Sequence, residues 1–151
     1  MRRDLIASQN CSIARTTAIV GDPWSLLIVR EALGGATRFQ DFQDGTGAQP
    51  SVISDRLKRL VGDGVLERFH YSEHPPRLGY QLTEKGNALL PLITAMIKWG
   101  DTYLDGGAGP PITYRHTTCG GEADPTMVCG HCGDPLEVGQ LREEPGPGTR
   151  P

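Results

Sequence analysis

No stretch of this sequence is apolar for long enough to cross a bilayer. Its longest uncharged apolar run, NALLPLITAMI, reaches about half of the ~20 residues that a membrane helix needs. The opening MRRDLIASQNCS carries cations with no hydrophobic run behind them, so no secretory leader is expected and the chain is read as cytoplasmic. There is no Ser/His/Asp set, phosphate-binding glycine loop or pair of catalytic carboxylates at a workable spacing. Charge of one sign is also lacking: 15 basic and 18 acidic residues leave a net of −3, which excludes a general polyanion binder. Lysine occurs only at Lys58, Lys85 and Lys98, all far in sequence from Cys11, which argues against a thiol–amine crosslink there. Four cysteines in a reducing compartment point to metal or redox chemistry sooner than to structural disulfides.

The modest average charge hides an asymmetry. Residues 1–104 carry 12 cations against 11 acids, and residues 105–151 carry 3 against 7, so the acidity belongs to the tail. Twelve of the cations are arginine, the residue suited to forked contacts with phosphate or guanine, although a genomic composition bias gives the same count.

Apolar periodicity and capping signals order the chain. Ser12 caps a short helix, IARTTAIV. Asp22 caps PWSLLIVREAL, with Pro23 at its first position, an apolar stripe of Trp24, Leu27, Ile28 and Leu33, and a double-glycine stop. Thr37 caps TRFQDFQ, whose Phe39 and Phe42 share a face, and DGTGAQ forms a loop. In SVISDRLKRLVGDG the residues Ile53, Leu57 and Leu60 recur at helical spacing and Gly62 and Gly64 end the helix. VLERFHY and RLGYQL then read as a hairpin whose tip, SEHPP, holds two prolines that cannot join a ladder. Thr83 caps a single helix to Leu104, bent at Pro91. At about 1.5 Å per residue it is about 33 Å long, enough apolar stripe to meet a second chain. DGGAGPP marks a boundary.

This order is that of a winged helix-turn-helix, in which the helix after the turn enters a DNA major groove and the hairpin lies over flanking backbone or minor groove. The fold class is therefore mainly α with a small β-hairpin wing. Three regions are expected: residues 1–106 for DNA binding and dimerisation, 107–140 as a small zinc-ribbon-like module, and 141–151 as a disordered tail.

Taken together, CSIARTTAIVGDPWSLLIVREALGGATRFQDFQ, SVISDRLKRLVGDGVLER and YSEHPPRLGYQLTEKGNALLPLITAMIKWG resemble the HxlR-type winged helix-turn-helix regulators of bacteria. The resemblance spans about residues 11–104 and implies a homodimer on operator DNA, joined through its first and last helices. It also implies Cys11 as a sensor of oxidants or electrophiles. Interface candidates are Ile13, Leu89, Ile93, Met96, Ile97, Trp99, Gly100 and Tyr103.

The DNA candidates are Gln49, Ser51, Val52, Arg56, Lys58 and Arg59 on the recognition helix, with Asp55 orienting Arg59. The competing reading is a solvated charged face. His70, His74 and Arg77 on the hairpin, and Arg38 at the start of the short helix, are candidates for the DNA backbone or minor groove; an exposed hairpin is the alternative, and Arg38 could equally pair with Asp41 or Asp22. Cys11 begins a helix, one turn before Arg15, a setting that favours a thiolate, while a small apolar interface residue is the bland reading.

In the tail, His116-x-x-Cys119 and Cys129-x-x-Cys132 form two half-sites, each followed by glycine. One His and three Cys suit a closed tetrahedral zinc site; a redox disulfide or inert thiols are the alternatives, and His131 is a poorer fourth ligand. The expected function is a transcriptional regulator, a repressor on an inverted repeat, gated by a small molecule or by cysteine chemistry, working at the bacterial nucleoid. The rival readings are a protein-interaction module on the same scaffold and a thiol oxidoreductase through Cys129-x-x-Cys132.

Overall fold

The computed structural model describes residues 3–149 and divides into two units, the first ending at Leu90 and the second beginning at Pro91. In chain order the elements are α1 (Arg3–Ala7), α2 (Ser12–Val20), α3 (Pro23–Leu33), α4 (Phe39–Thr46), α5 (Pro50–Gly62), β1 (Leu66–Glu73), β2 (Pro76–Leu82), α6 (Glu84–Asn87) and α7 (Leu90–Tyr103). Winged helix-turn-helix architecture is what this order and the antiparallel hairpin produce.

The core of the first unit is built where α3, α4 and α5 meet. Ile28 and Val29 of α3, Phe42 of α4, Ile53, Leu57 and Leu60 of α5, and Val65 and Leu66 beside the hairpin have almost no exposed surface. Burial of each such side chain contributes about 1.5–3 kcal/mol. The spacing of Ile53, Leu57 and Leu60 is what rolls α5 onto this core. Ala48 is buried in the turn, and Gly47, at φ 69°, takes the left-handed conformation that ends α4.

Several boundaries differ from those read in the sequence. Cys11 rather than Ser12 occupies the N-cap of α2, and Arg38 rather than Thr37 that of α4. At α4 the carboxylate of Asp41 accepts the backbone N–H groups of both Thr37 and Arg38, so the side chain that closes the first turn comes from inside the helix. The helix also continues through Thr46, absorbing the first half of the expected loop. α1 was not legible, being only five residues long; Arg3 from it pairs with Asp63 after α5. Pro76 does join the hairpin, as its first residue opposite Glu73, a position where its missing N–H is tolerated.

The largest correction concerns the last helix. Instead of one helix bent at Pro91 there are two, because α6 stops at Asn87 and α7 starts at Leu90. Pro91 thereby falls in the first turn of α7, where no intrahelical donor is missed. At 14 residues α7 is about 21 Å long, shorter than the about 33 Å expected of a single helix. Leu92, Met96, Trp99 and Tyr103 recur along α7 and remain 39–69% exposed. Ile93 is buried, and Leu89, Ile97 and Gly100 are half-buried.

Gly86 lies buried in α6, and a Cβ there would come 2.2 Å from the Val65 carbonyl oxygen, which also accepts from Thr83 N–H. In an ordinary helix Gly→Ala stabilises by about 1 kcal/mol. Here the backbone clash should reverse the sign, so Gly86→Ala is expected to lower stability by about 1–3 kcal/mol in urea unfolding. An unchanged or higher midpoint would show that α6 does not approach the hairpin backbone this closely.

Candidate nucleic-acid interface

The turn from α4 into α5 leaves one side of α5 uncovered. With 100° per residue, Ile53, Leu57 and Leu60 define the inward direction, and Ser51, Asp55, Lys58 and Arg59 lie opposite. Ser51, Lys58 and Arg59 are exposed, as is Gln49 at the N-cap, while Val52 is half-buried at the edge. Asp55 accepts from Arg59 at 3.2 Å, one turn apart, as expected from their spacing.

Arg56 is placed differently from its neighbours, and the reading of it as a free outward cation is corrected. It sits only about 60° from the inward direction, on the shoulder of the buried stripe. Its Nε donates to Asp22 Oδ1 at 2.8 Å and its Nη1 to Asp55. Asp22 is the N-cap of α3, accepting Ser25 N–H at 3.2 Å and the hydroxyl of Ser25, whose side chain is buried. One carboxylate therefore closes the start of α3 and holds α5. Burial pushes the Asp22 carboxyl up, but the hydrogen bonds from Ser25 and Arg56 outweigh it and hold the group below its ordinary value. The same bond to Asp22 pushes the Arg56 guanidinium still higher.

The hairpin brings a second group of polar side chains forward. His70, His74 and Arg77 are exposed. The strand register shifts between His70 and Ser72, a bulge at Tyr71. The Arg38 guanidinium stands 5.1 Å above the Tyr71 ring, while its backbone N–H donates to Asp41 at 2.8 Å and its charge helps to hold that carboxyl low. Arg68, which the sequence reading missed, lies 6.0 Å over Tyr80. Tyr80 packs edge-on against Phe42 and its N–H donates to Thr37 O at 2.8 Å, so the wing is locked to the start of α4.

Cys11 is exposed and reduced at the head of α2, and Arg15 turns its guanidinium to the Ser12 hydroxyl at 3.2 Å. In the tail His116 Nδ1 lies 3.3 Å from Cys119 Sγ. Cys129 is held below the ordinary thiol range by backbone N–H groups of Cys132 and His131. Among the described residues no three His, Cys, Asp or Glu side chains converge on a point that could hold a metal.

A three-helix core, a recognition helix with one uncovered face and a two-stranded wing define a DNA-binding transcription regulator of the winged helix-turn-helix class. Comparison with known proteins makes the family definite. The HxlR-like helix-turn-helix family pattern matches residues 19–108, and the chain belongs to that family. It is similar to the HTH-type transcriptional regulator Rv3095 of Mycobacterium tuberculosis, 43% identical over 139 residues that cover 92% of this chain and 88% of the relative. Among solved structures, PA1607, a candidate transcription factor, superposes with a TM-score of 0.84 at 33% identity, covering 91% of this chain and 96% of that one. The redox regulator HypR in its oxidized form superposes at 0.58 and 28% identity, over 63% of this chain and 99% of its own. These relatives are regulators, and the chain is a regulator rather than an enzyme. No helix is long and apolar enough to cross a membrane among the described residues.

Because the Asp22 pKa is depressed in the folded state, its stabilisation is present above the unfolded value and lost as pH falls through the folded one. Asp22→Asn, which keeps a capping oxygen but loses the charge that holds Arg56, should therefore be less stable than the parent by up to about 1 kcal/mol near neutrality, with the gap closing as pH falls below the ordinary carboxylate range. Urea melts of both proteins across this range check it; a gap independent of pH would remove the carboxylate from the account of α3 and α5.

Proposed function

We propose that the chain acts as a homodimeric, sequence-specific repressor on an inverted-repeat operator in the bacterial cytoplasm. The observation that carries this reading is the uncovered face of α5. Ser51 and Gln49 there can hydrogen-bond base edges or phosphates, Val52 can meet a thymine methyl, and Arg59 can fork onto guanine. Lys58 serves a phosphate. Arg38, His74 and Arg77 track the backbone beside the wing. Arg56 becomes a positioning residue: through Asp22 it sets the tilt of α5 and so the aim of Arg59.

Dimerisation is supported by the exposed apolar strip of α7, with Leu92, Met96, Trp99 and Tyr103, and by Ile13 on α2, which is 77% exposed. Unpartnered apolar side chains of this size mark an interaction surface. Two recognition helices in a two-fold dimer meet successive major grooves, about 34–36 Å apart, which is why the operator is expected to repeat in inverted order. Gating by an oxidant or electrophile is supported by the exposed thiol of Cys11 and by the likeness to a redox regulator.

A fluorescence titration on duplex selected from a random library tests the DNA reading. Lys58→Ala and Arg59→Ala should each weaken binding and reduce the slope of log affinity against log salt by about one phosphate contact's share. They should leave the urea midpoint near the parent's. Unchanged affinity and slope in the double variant would place the DNA elsewhere on the protein. For the gating, diamide should lower the parent's affinity, whereas Cys11→Ser should keep it; equal responses of the two proteins would acquit Cys11.

A further inference from the structure

The tail repeats one turn twice. His116 N–H donates to Gly121 O, Gly120 N–H returns to His116 O, and Ala123 N–H donates to Tyr114 O, at 2.7–2.9 Å. Thirteen residues later Cys129 N–H donates to Asp134 O, Gly133 N–H returns to Cys129 O, and Leu136 N–H donates to Met127 O, at 2.8–3.0 Å. The bridges Arg115 with Glu122 and Val128 with Pro135 occupy matching places. Gly120 and Gly133, both at positive φ (72° and 82°), take the residue after each second ligand candidate, where a side chain would be strained. Each turn thus puts a pair, His116 with Cys119 and Cys129 with Cys132, on a tight knuckle.

Nothing apolar holds these knuckles. From Leu104 to Thr149 no residue is buried, and Ile112, Tyr114, Met127 and Val128 are 44–61% exposed. A segment of this size without a core requires another constraint. The loop between the knuckles is tied to α7, where Lys98 pairs with Asp124 and donates to Pro125 O at 3.0 Å.

We infer that the two knuckles are the halves of one structural zinc site, with His116, Cys119, Cys129 and Cys132 as its four ligands. Two pairs on equivalent turns supply one imidazole and three thiolates, the donor set of a closed tetrahedral site. Binding drives three thiol protons into solvent and draws the second pair towards the first, so the metal supplies the constraint that the missing core does not. No electron is transferred, and all three tail cysteines stay reduced.

Mass-spectrometric metal analysis of the full chain, purified without chelator, should give about one zinc per chain. Cys132→Ser and His116→Ala should lose it while keeping the helical far-ultraviolet signal of the winged helix. Cobalt(II) added to the metal-free chain should give the visible bands of a tetrahedral thiolate complex, a readout that does not require either variant to fold. Zinc well below stoichiometry together with no such cobalt spectrum would overturn the site, as would a Cys129–Cys132 disulfide in freshly isolated protein.

Discussion

The carboxylate of Asp22 is the constraint on which the DNA-facing side depends. It accepts from Ser25 N–H and the Ser25 hydroxyl at the start of α3, and from Arg56 on α5. A residue that only capped a helix would be replaceable at a cost of about 1 kcal/mol. This one also couples two helices, because a recognition helix is useful only if its tilt is held while its outer face stays bare. Apolar packing of Ile53, Leu57 and Leu60 decides which side of α5 faces inward, but a smooth stripe permits rocking. The directed bond from Arg56 to Asp22 removes that freedom at the shoulder of the stripe.

The same division of labour holds in the wing. Tyr80 plugs against Phe42 and ties its N–H to Thr37, so the hairpin is anchored at its base. Polar and charged side chains then extend from a fixed platform: Arg38 over Tyr71, Arg68 over Tyr80, and His74 and Arg77 towards the tip. An ion pair such as Arg59 with Asp55, more than half exposed on the arginine, contributes little stability. Its effect is on placement, since the pair holds the Arg59 guanidinium against Asp55 one turn back on the exposed side of α5.

Much of this was legible in residue order. Asp22-Pro23 announced α3, the spacing of Ile53, Leu57 and Leu60 announced the buried face of α5, and the paired strand-like runs announced the wing. Three things were hidden for physical reasons. The break between α6 and α7 depends on local turn geometry at Ala88 and Leu89, which apolar periodicity does not encode, so Pro91 was read as a bend inside one helix. α1 is too short to show a period. The partner of Arg56 lies 34 residues away, and long-range pairing leaves no trace in local spacing, although the place of Arg56 next to Leu57 already put it near the core. In the tail the His116/Cys119 and Cys129/Cys132 pairs were visible as spacing, whereas the repeat of the turn itself emerged only from its hydrogen bonds.

The most direct test is photochemical. With p-benzoylphenylalanine at Ser51, irradiation in complex with a selected duplex should yield an adduct on major-groove bases of the duplex, and the same group at Glu84 on α6 should yield none. Adducts from Glu84 with none from Ser51, in a protein that still binds the duplex, would contradict the placement of α5 in the groove.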